Sequence, residues 1–319
     1  MSFIIKSMNS IRILITDKCN ASCANCLNKT FRTESCYMNF SQFRSIAQYF
    51  KDHNVSRIRL MGGEPTIHPQ FEKIAELSQK LFSRVSVFTN GLSKNLLTFS
   101  PRESDGINYN GKFARSIDHN LFMSQKPGAR TLSIVIDNKL EEKVAIETIN
   151  YVKDIVPNIK VSLTFDCTAN IFKLRKSFLK KFDVIYDFCM ASSLETIIDH
   201  GLPICFLYNS KVPTHENFSL CNKDCAGLID ANCELRFCNQ ESTEHFSLFE
   251  GAKLKPYKLL ENRMELAFIQ KQEVVLKKIC IDCPFYGKMC NGGCYIQNPA
   301  ISKEDILNNT ELPIIQKND

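Results

Sequence analysis

The sequence predicts an α/β fold built on a parallel β-sheet. Short runs of alternating apolar residues, typical of strands, recur along residues 11–186, and segments with helical periodicity separate most of them. This strand–helix–strand order is typical of parallel strands joined by helices that cover the sheet. About six strands are expected, fewer than the eight of a closed TIM barrel. The 319 residues are enough for one such domain and a smaller appendage.

The first three strands and the helices between them follow from periodicity. Phe43, Ile46, Ala47 and Phe50 lie at helical spacing on one face, and Pro69 is suited to the first turn of a helix. The predicted strands are residues 11–16, 57–61 and 84–88, and the predicted helices are residues 41–54 and 69–81.

Strands and helices alternate again in the predicted elements after residue 130, following a less regular stretch. Glycine and proline residues between positions 92 and 130 indicate loops, with one short strand at residues 106–110. Further strands are predicted at residues 131–137, 160–167 and 183–186, and helices at residues 140–153 and 174–182. Residues 302–319 are polar and are expected to form one helical turn and a frayed tail.

Composition excludes several classes of protein. The net charge of +6 is mild for this length and no aromatic-basic patch is found, so no nucleic-acid partner is expected. No apolar run approaches the ~18 residues of a membrane span, and no secretion signal is found, which predicts a cytoplasmic protein with no membrane partner. Fifteen cysteines in such a chain indicate metal binding, and nine of them lie between Cys205 and Cys294.

The most specific motif is a cysteine trio, Cys19, Cys23 and Cys26, which directly follows the first predicted strand. Thiolates are soft ligands that select Fe–S clusters or zinc. A cluster held by three protein ligands keeps one iron open for chemistry. A structural zinc site would need a fourth ligand, and Cys36 is close enough in sequence to supply it.

A second motif, the turn Gly62, Gly63, Glu64 and Pro65, follows the second predicted strand. The two glycines would let the backbone approach a ligand closely. The cysteine trio and this turn, in these positions, resemble the radical S-adenosylmethionine (SAM) superfamily. The resemblance implies an open partial (β/α)6 TIM-like barrel, a [4Fe–4S] cluster on the trio, and SAM bound at the open iron and along the turn.

The resemblance also suggests roles for single residues. Asn90, Ser133 and Asp137 lie at or near strand ends and are expected either to line the pocket for SAM or substrate or to face solvent. Asn25 stands where the family usually has an aromatic residue near the adenine, so the adenine contacts are expected to differ. Some radical SAM enzymes that act on peptides use a free cysteine to return a hydrogen atom to the substrate radical. Cys167 and Cys36 are candidates for this role, with a buried structural thiol as the alternative for each.

The cysteine-rich end resembles the SPASM extension of radical SAM enzymes, which holds auxiliary [4Fe–4S] clusters. This resemblance implies two sets of cluster ligands in this sequence. One cluster would be held by Cys221, Cys225, Cys238 and Cys294, and the other by Cys280, Cys283 and Cys290.

The match departs from the family motif at three places. Cys233 replaces the usual glycine, the gap before Cys290 is one residue longer, and no cysteine follows Cys294. The fourth ligand of the second cluster is therefore absent or recruited from Cys233 or Cys205. A shortened single-cluster "twitch" extension and a zinc site are the alternatives.

These expectations divide the chain into a radical SAM barrel core at residues 1–204, a cysteine-rich auxiliary cluster region at residues 205–300 and a polar tail at residues 301–319. By resemblance, the protein is an oxidoreductase that cleaves SAM to a 5′-deoxyadenosyl radical and removes hydrogen from a substrate. A ribosomally made peptide or a protein side chain is the leading substrate. A small molecule such as an aminocyclitol or sugar is the alternative substrate. A non-catalytic zinc-binding scaffold is a more distant alternative for the function of the whole protein.

The resemblance implies partners as well. An electron donor of the flavodoxin or ferredoxin type is needed to start the reaction. Because the predicted barrel begins near residue 11, a peptide substrate is expected to require a separate recognition protein.

Overall fold

The computed structural model describes residues 9–23, 26, 36–124, 128–166, 170–199, 202, 204–207, 211, 228–236, 245–276 and 302–309. The chain divides into two compact units. Unit 1 comprises Met1–Ser133, Thr148–Lys160 and Cys225–Met264, and unit 2 comprises Ile134–Glu147, Val161–Asp224 and Glu265–Asp319.

The helices and strands have the following bounds. The strands are β1 (Ser10–Thr16), β2 (Arg57–Gly62), β3 (Arg84–Thr89), β4 (Gly106–Asn110), β5 (Ala129–Ile136), β6 (Lys160–Phe165), β7 (Thr196–Asp199), β8 (Leu228–Ile229), β9 (Glu234–Arg236), β10 (His245–Ser247), β11 (Phe249–Glu250) and β12 (Lys253–Leu254). The helices are α1 (Phe40–Asp52), α2 (Phe71–Leu81), α3 (His119–Ser124), α4 (Glu142–Ile155), α5 (Arg175–Ala191), α6 (Ile204–Leu207), α7 (Tyr257–Leu276) and α8 (Lys303–Asn309).

In unit 1 the sheet order is β10-β9-β8-β1-β2-β3-β4, and residues 129–133 of β5 continue it. Strands β8, β1, β2, β3, β4 and β5 are parallel, while β9 and β10 continue the sheet in antiparallel pairing. In unit 2, β6 and β7 are parallel. The predicted α/β fold with a parallel central sheet is therefore confirmed, and no closed barrel is present among the described residues.

The prediction of the last parallel strand was wrong. Residues 183–186 lie inside α5, and the strand is instead Thr196–Asp199. Phe178, Phe182, Ile185 and Cys189 are buried at helical spacing, so one apolar helix face continues through the segment that was predicted to be extended. The helix prediction for residues 174–182 was correspondingly too short.

The two faces of the sheet in unit 1 differ in polarity. Because β1, β2 and β3 follow chain order, right-handed crossovers place α1 and α2 on the same side of the sheet. One face carries five completely buried apolar residues and is therefore the face that the helices cover: Ile11, Ile13, Ile58, Leu60 and Val85.

None of the described helices has the length and hydropathy needed to cross a membrane.

Candidate functional site

The cysteine trio lies in the loop that leaves the carboxyl end of β1. All three thiols are partly exposed. The Sγ of Cys19 accepts hydrogen bonds from the backbone N–H of Ala21 at 3.4 Å and from Nδ2 of Asn90 at 3.8 Å. Within the described ranges, no three Cys, His, Asp or Glu side chains already converge to hold a metal ion. The trio therefore provides three partly exposed thiols on one short loop, and the sulfur of Cys19 accepts hydrogen bonds from two N–H donors.

The turn after β2 lies directly against this loop. The backbone N–H of Gly63 donates to the carbonyl of Thr16 at 2.8 Å, and that of Glu64 donates to the carbonyl of Lys18 at 2.8 Å. A Cβ at Gly62 would lie 2.2 Å from the Thr16 oxygen, and one at Gly63 would lie 2.2 Å from the Lys18 oxygen. Both glycines are thus required for the close approach of the two backbones.

The Glu64 side chain links the end of β2 to the end of β3 through hydrogen bonds. Its side chain is 1% exposed. Oε1 accepts hydrogen bonds from the N–H of Thr66 at 3.1 Å, from the Thr66 hydroxyl at 2.5 Å and from the Thr89 hydroxyl at 2.7 Å, while Oε2 accepts from the N–H of Asn90 at 2.6 Å. Burial raises the pKa of this carboxyl, and the four hydrogen bonds oppose that shift. The Glu64 carboxylate therefore holds the carboxyl ends of β2 and β3 together, and we call this set of hydrogen bonds the clamp.

Asn90 connects this clamp to the cysteine loop. Its backbone N–H binds Glu64, and its Nδ2 donates to Oδ1 of Asn20 at 2.7 Å as well as to Cys19. Its Oδ1 accepts from the N–H of Leu92 at 2.9 Å. The side chain predicted to line a SAM or substrate pocket thus also positions the loop that carries the trio.

Cys36 lies beside the start of the same loop. Its carbonyl accepts hydrogen bonds from the Thr16 hydroxyl at 2.8 Å and from the N–H of Asp17 at 3.3 Å. Its thiol donates to Oδ1 of Asn232 at 3.5 Å, in the turn between β8 and β9. Cys36 is therefore next to the β1 end, although the described side chains place no zinc-type ligand set around it.

Cys233 occupies the same turn as Asn232. Its thiol is 3% exposed and its φ is +64°, in the left-handed region that favours glycine. A glycine would therefore be suited to this position. Burial, with smaller contributions from Asp230 and Cys36, raises the pKa of the Cys233 thiol to about 11.

Other predicted site residues are less informative. Pro65 begins a short 3-10 helix, Pro65–Ile67, capped by the Glu64 side chain. Ser133 lies in β5 opposite Asn110 and is partly exposed. The remaining predicted residues lie outside the described residues: Cys167, Cys221, Cys225, Cys238, Cys280, Cys283, Cys290 and Cys294.

Sequence reasoning missed three contributors to this site. Thr89 is the second hydroxyl donor to Glu64. Asp17 is 7% exposed, and its Oδ1 has no hydrogen-bond partner within the described part of the chain. Lys18 places its ammonium 4.5 Å from the Tyr37 ring centroid. Their position in the sequence could have indicated these three residues, because each lies at or just after the carboxyl end of a parallel strand.

Comparison with known proteins agrees with this arrangement. Residues 13–165 match the family model described as "Radical SAM superfamily". A GTP 3′,8-cyclase from Vibrio vulnificus (strain YJ016) is 32% identical over 87 residues, which is 25% of this chain and 26% of that protein. An S-adenosylmethionine-dependent nucleotide dehydratase from a Thermoplasmatales archaeon (strain ISO4-H5) is 29% identical over 87 residues, 27% of this chain and 31% of that protein. The matched part is thus about a quarter to a third of each curated relative's length.

Solved structures match over much more of the chain. Streptococcus suis SuiB bound to S-adenosylmethionine has a TM-score of 0.62 at 14% identity, covering 97% of this chain and 77% of that one. The anSMEcpe structure with bound AdoMet and the Cp18Cys peptide has a TM-score of 0.60 at 16% identity, covering 96% and 98%. At these identities the likeness concerns the fold.

Proposed function

We propose that this chain is a radical SAM enzyme that reductively cleaves SAM to a 5′-deoxyadenosyl radical, which then removes a hydrogen atom from a substrate, because residues 13–165 match the radical SAM family model. The observation that carries the proposal is the docking of the cysteine loop onto the Gly62–Gly63 turn through two backbone hydrogen bonds of 2.8 Å. This places the proposed cluster ligands and the proposed SAM-binding turn at one edge of the sheet.

The residues present fit a [4Fe–4S] cluster in their chemistry. Cys19, Cys23 and Cys26 would hold it, since three partly exposed thiols share one loop and thiolates are the usual ligands of such clusters. When bound, the cluster would supply the electron that cleaves a carbon–sulfur bond of SAM. The electron itself would come from a donor of the flavodoxin or ferredoxin type.

The protein's own groups hold this region in place. Asn90 donates a hydrogen bond from its side-chain Nδ2 to the Sγ of Cys19 at 3.8 Å. Glu64 keeps Asn90 in position through its backbone N–H. Cys36 and Cys167 remain proposed hydrogen donors, and Cys36 lies beside the β1 end from which the cysteine loop starts.

The cysteine-rich region is proposed to bind one or two auxiliary [4Fe–4S] clusters. This part of the proposal rests on cysteine spacing, with the ligand sets given above.

A peptide or protein side chain is the leading substrate. SuiB has been solved bound to the precursor peptide SuiA, and anSMEcpe with the Cp18Cys peptide. A small molecule is the second candidate, because the curated relatives include a GTP 3′,8-cyclase and a nucleotide dehydratase.

Metal content tests the assignment of the ligands. The purified chain is reconstituted anaerobically with iron and sulfide, and iron is counted per chain in the wild type and in Cys23→Ala. Loss of about four irons in the variant supports the trio as cluster ligands. Cys189→Ala is the matched control, because this buried thiol of α5 is not a proposed ligand. Equal iron content in all three proteins would contradict the assignment.

A further inference from the structure

Two cysteines from distant parts of the sequence lie beside the carboxyl end of β1. Cys36 is held there because its carbonyl accepts hydrogen bonds from the Thr16 hydroxyl at 2.8 Å and from the N–H of Asp17 at 3.3 Å. Strand β8 pairs in parallel with β1, so the turn that follows β8 lies at the same edge of the sheet. Cys233 belongs to that turn, directly before β9.

The thiol of Cys36 reaches the turn that carries Cys233. It donates to Oδ1 of Asn232, the residue that precedes Cys233, at 3.5 Å. The Cα atoms of neighbouring residues are about 3.8 Å apart, so this contact brings Cys36 next to Cys233. The two thiols also influence each other electrostatically. Burial is the largest cause of the raised pKa of the Cys233 thiol, and Asp230 and Cys36 follow it.

Hydrogen bonds hold the backbone of Cys233 in this position. Its N–H donates to the carbonyl of Asp230 at 3.0 Å, and its carbonyl accepts from the N–H of Leu248 at 3.2 Å. The Asp230 carboxylate also accepts from the N–H of Asn232 at 3.0 Å. With both cysteine backbones fixed, rotation of the Cys36 side chain away from Asn232 is the movement that would bring its sulfur to Cys233. A disulfide has specific geometry and forms between cysteines whose backbones already lie near each other.

The two thiols differ in their access to solvent. Cys36 is partly exposed, whereas Cys233 is 3% exposed. A dissolved oxidant therefore reaches Cys36 first, and Cys233 reacts only with a group that is already attached to Cys36. An accessible thiol with a second thiol beside it is typical of redox-sensitive cysteines.

We propose that Cys36 and Cys233 are a redox-sensitive pair that forms a disulfide when a small-molecule disulfide, such as oxidised glutathione, is the oxidant. The Cys36 thiolate attacks one sulfur of oxidised glutathione, which releases one glutathione thiolate and leaves a mixed disulfide. Cys233 then loses its proton, and its sulfur attacks that of Cys36 and releases the second glutathione thiolate. The pair thus gives two electrons and two protons, and oxidised glutathione is reduced to two glutathione thiols.

The disulfide would have a consequence for the reaction. It removes the S–H of Cys36, which is one of the two proposed hydrogen donors. This consequence rests on the proposed function, whereas formation of the bond does not. The test therefore detects the bond itself.

Mass spectrometry of the oxidised protein tests the proposal. The reconstituted full-length protein is incubated anaerobically with oxidised glutathione, free thiols are blocked with iodoacetamide, and the protein is digested with trypsin. The tryptic peptide 33–44 has Cys36 as its one cysteine, and peptide 224–236 contains Cys225 and Cys233, which fragment spectra distinguish. We expect a cross-link between Cys36 and Cys233 that dithiothreitol removes.

Variants separate this pair from other thiols. Cys36→Ser and Cys233→Ser are each expected to abolish the cross-link. Cys36 is partly exposed, so Cys36→Ser is expected to remain folded. Cys189→Ala is the matched control and should retain the cross-link, because Cys189 is buried in α5.

Three results would overturn the proposal. In the first, wild type treated with oxidised glutathione has both cysteines alkylated. In the second, Cys36 carries glutathione and no cross-link follows. In the third, Cys36 is linked to a cysteine of the trio. A protein that forms the Cys36–Cys233 bond and no 5′-deoxyadenosine would support the pair and contradict only the proposed function.

Discussion

Replacing Gly63 by alanine should disconnect the cysteine loop from the turn after β2. The added Cβ would lie 2.2 Å from the carbonyl oxygen of Lys18 and 2.6 Å from that of Asp17. Both are backbone atoms, so restoring ordinary contact requires the loop to move by about 1 Å, and overpacking of this kind costs about 1–3 kcal/mol of folding stability. A 1 Å displacement of reacting groups lowers rates by about 100-fold.

The assay is the rate of 5′-deoxyadenosine formation from SAM and dithionite under anaerobic conditions, together with iron content and the melting temperature. Gly106→Ala is the control, since its Cβ would meet its nearest neighbours at 3.6 Å, an ordinary contact. The expected result is a rate about 100-fold lower for Gly63→Ala only. A Gly63→Ala enzyme with an unchanged rate would show that the contact between loop and turn does not position the chemistry.

Three further predictions concern single side chains. Glu64→Gln should lower the free energy of unfolding by about 1–3 kcal/mol, measured with urea, because an amide cannot accept from all the donors that now bind the carboxylate; a change near zero would contradict the clamp. Burial lowers the pKa of His68, whose Nδ1 accepts from the N–H of Gln70, so its stabilising contribution is complete above about pH 6.5 and is lost as pH falls toward the folded-state pKa. Urea unfolding between pH 8 and pH 5 should show this loss in wild type and less of it in His68→Phe; parallel profiles would refute it. Cys233→Val should lower the melting temperature more than Cys233→Gly, because a β-branched residue is strained at φ +64°; the reverse order would count against that turn geometry.

Periodicity and turn motifs predicted the part of the molecule where contacts are local. The buried face of α1 and the strands β1, β2 and β3 lie where alternation and helical spacing placed them. The proximity of the cysteine loop to the Gly62–Gly63 turn was also predictable, because the carboxyl ends of neighbouring parallel strands lie at one edge of a sheet.

The remaining features depend on contacts between distant segments. Nothing in the sequence near Glu64 indicates that Thr89 and Asn90 supply its donors, because they belong to another strand. The prediction of a strand at residues 183–186 was wrong because a short apolar run is compatible with both a strand and a helix. The helical spacing of the buried residues of α5 shows that this segment is helical.

Formation of 5′-deoxyadenosine gives the most direct test of whether this chain cleaves SAM. The reconstituted protein is mixed with SAM and dithionite without oxygen, and the nucleoside is quantified beside a Cys23→Ala variant. We expect 5′-deoxyadenosine from wild type and none above background from the variant. A protein that binds zinc in place of iron and forms no 5′-deoxyadenosine would contradict it.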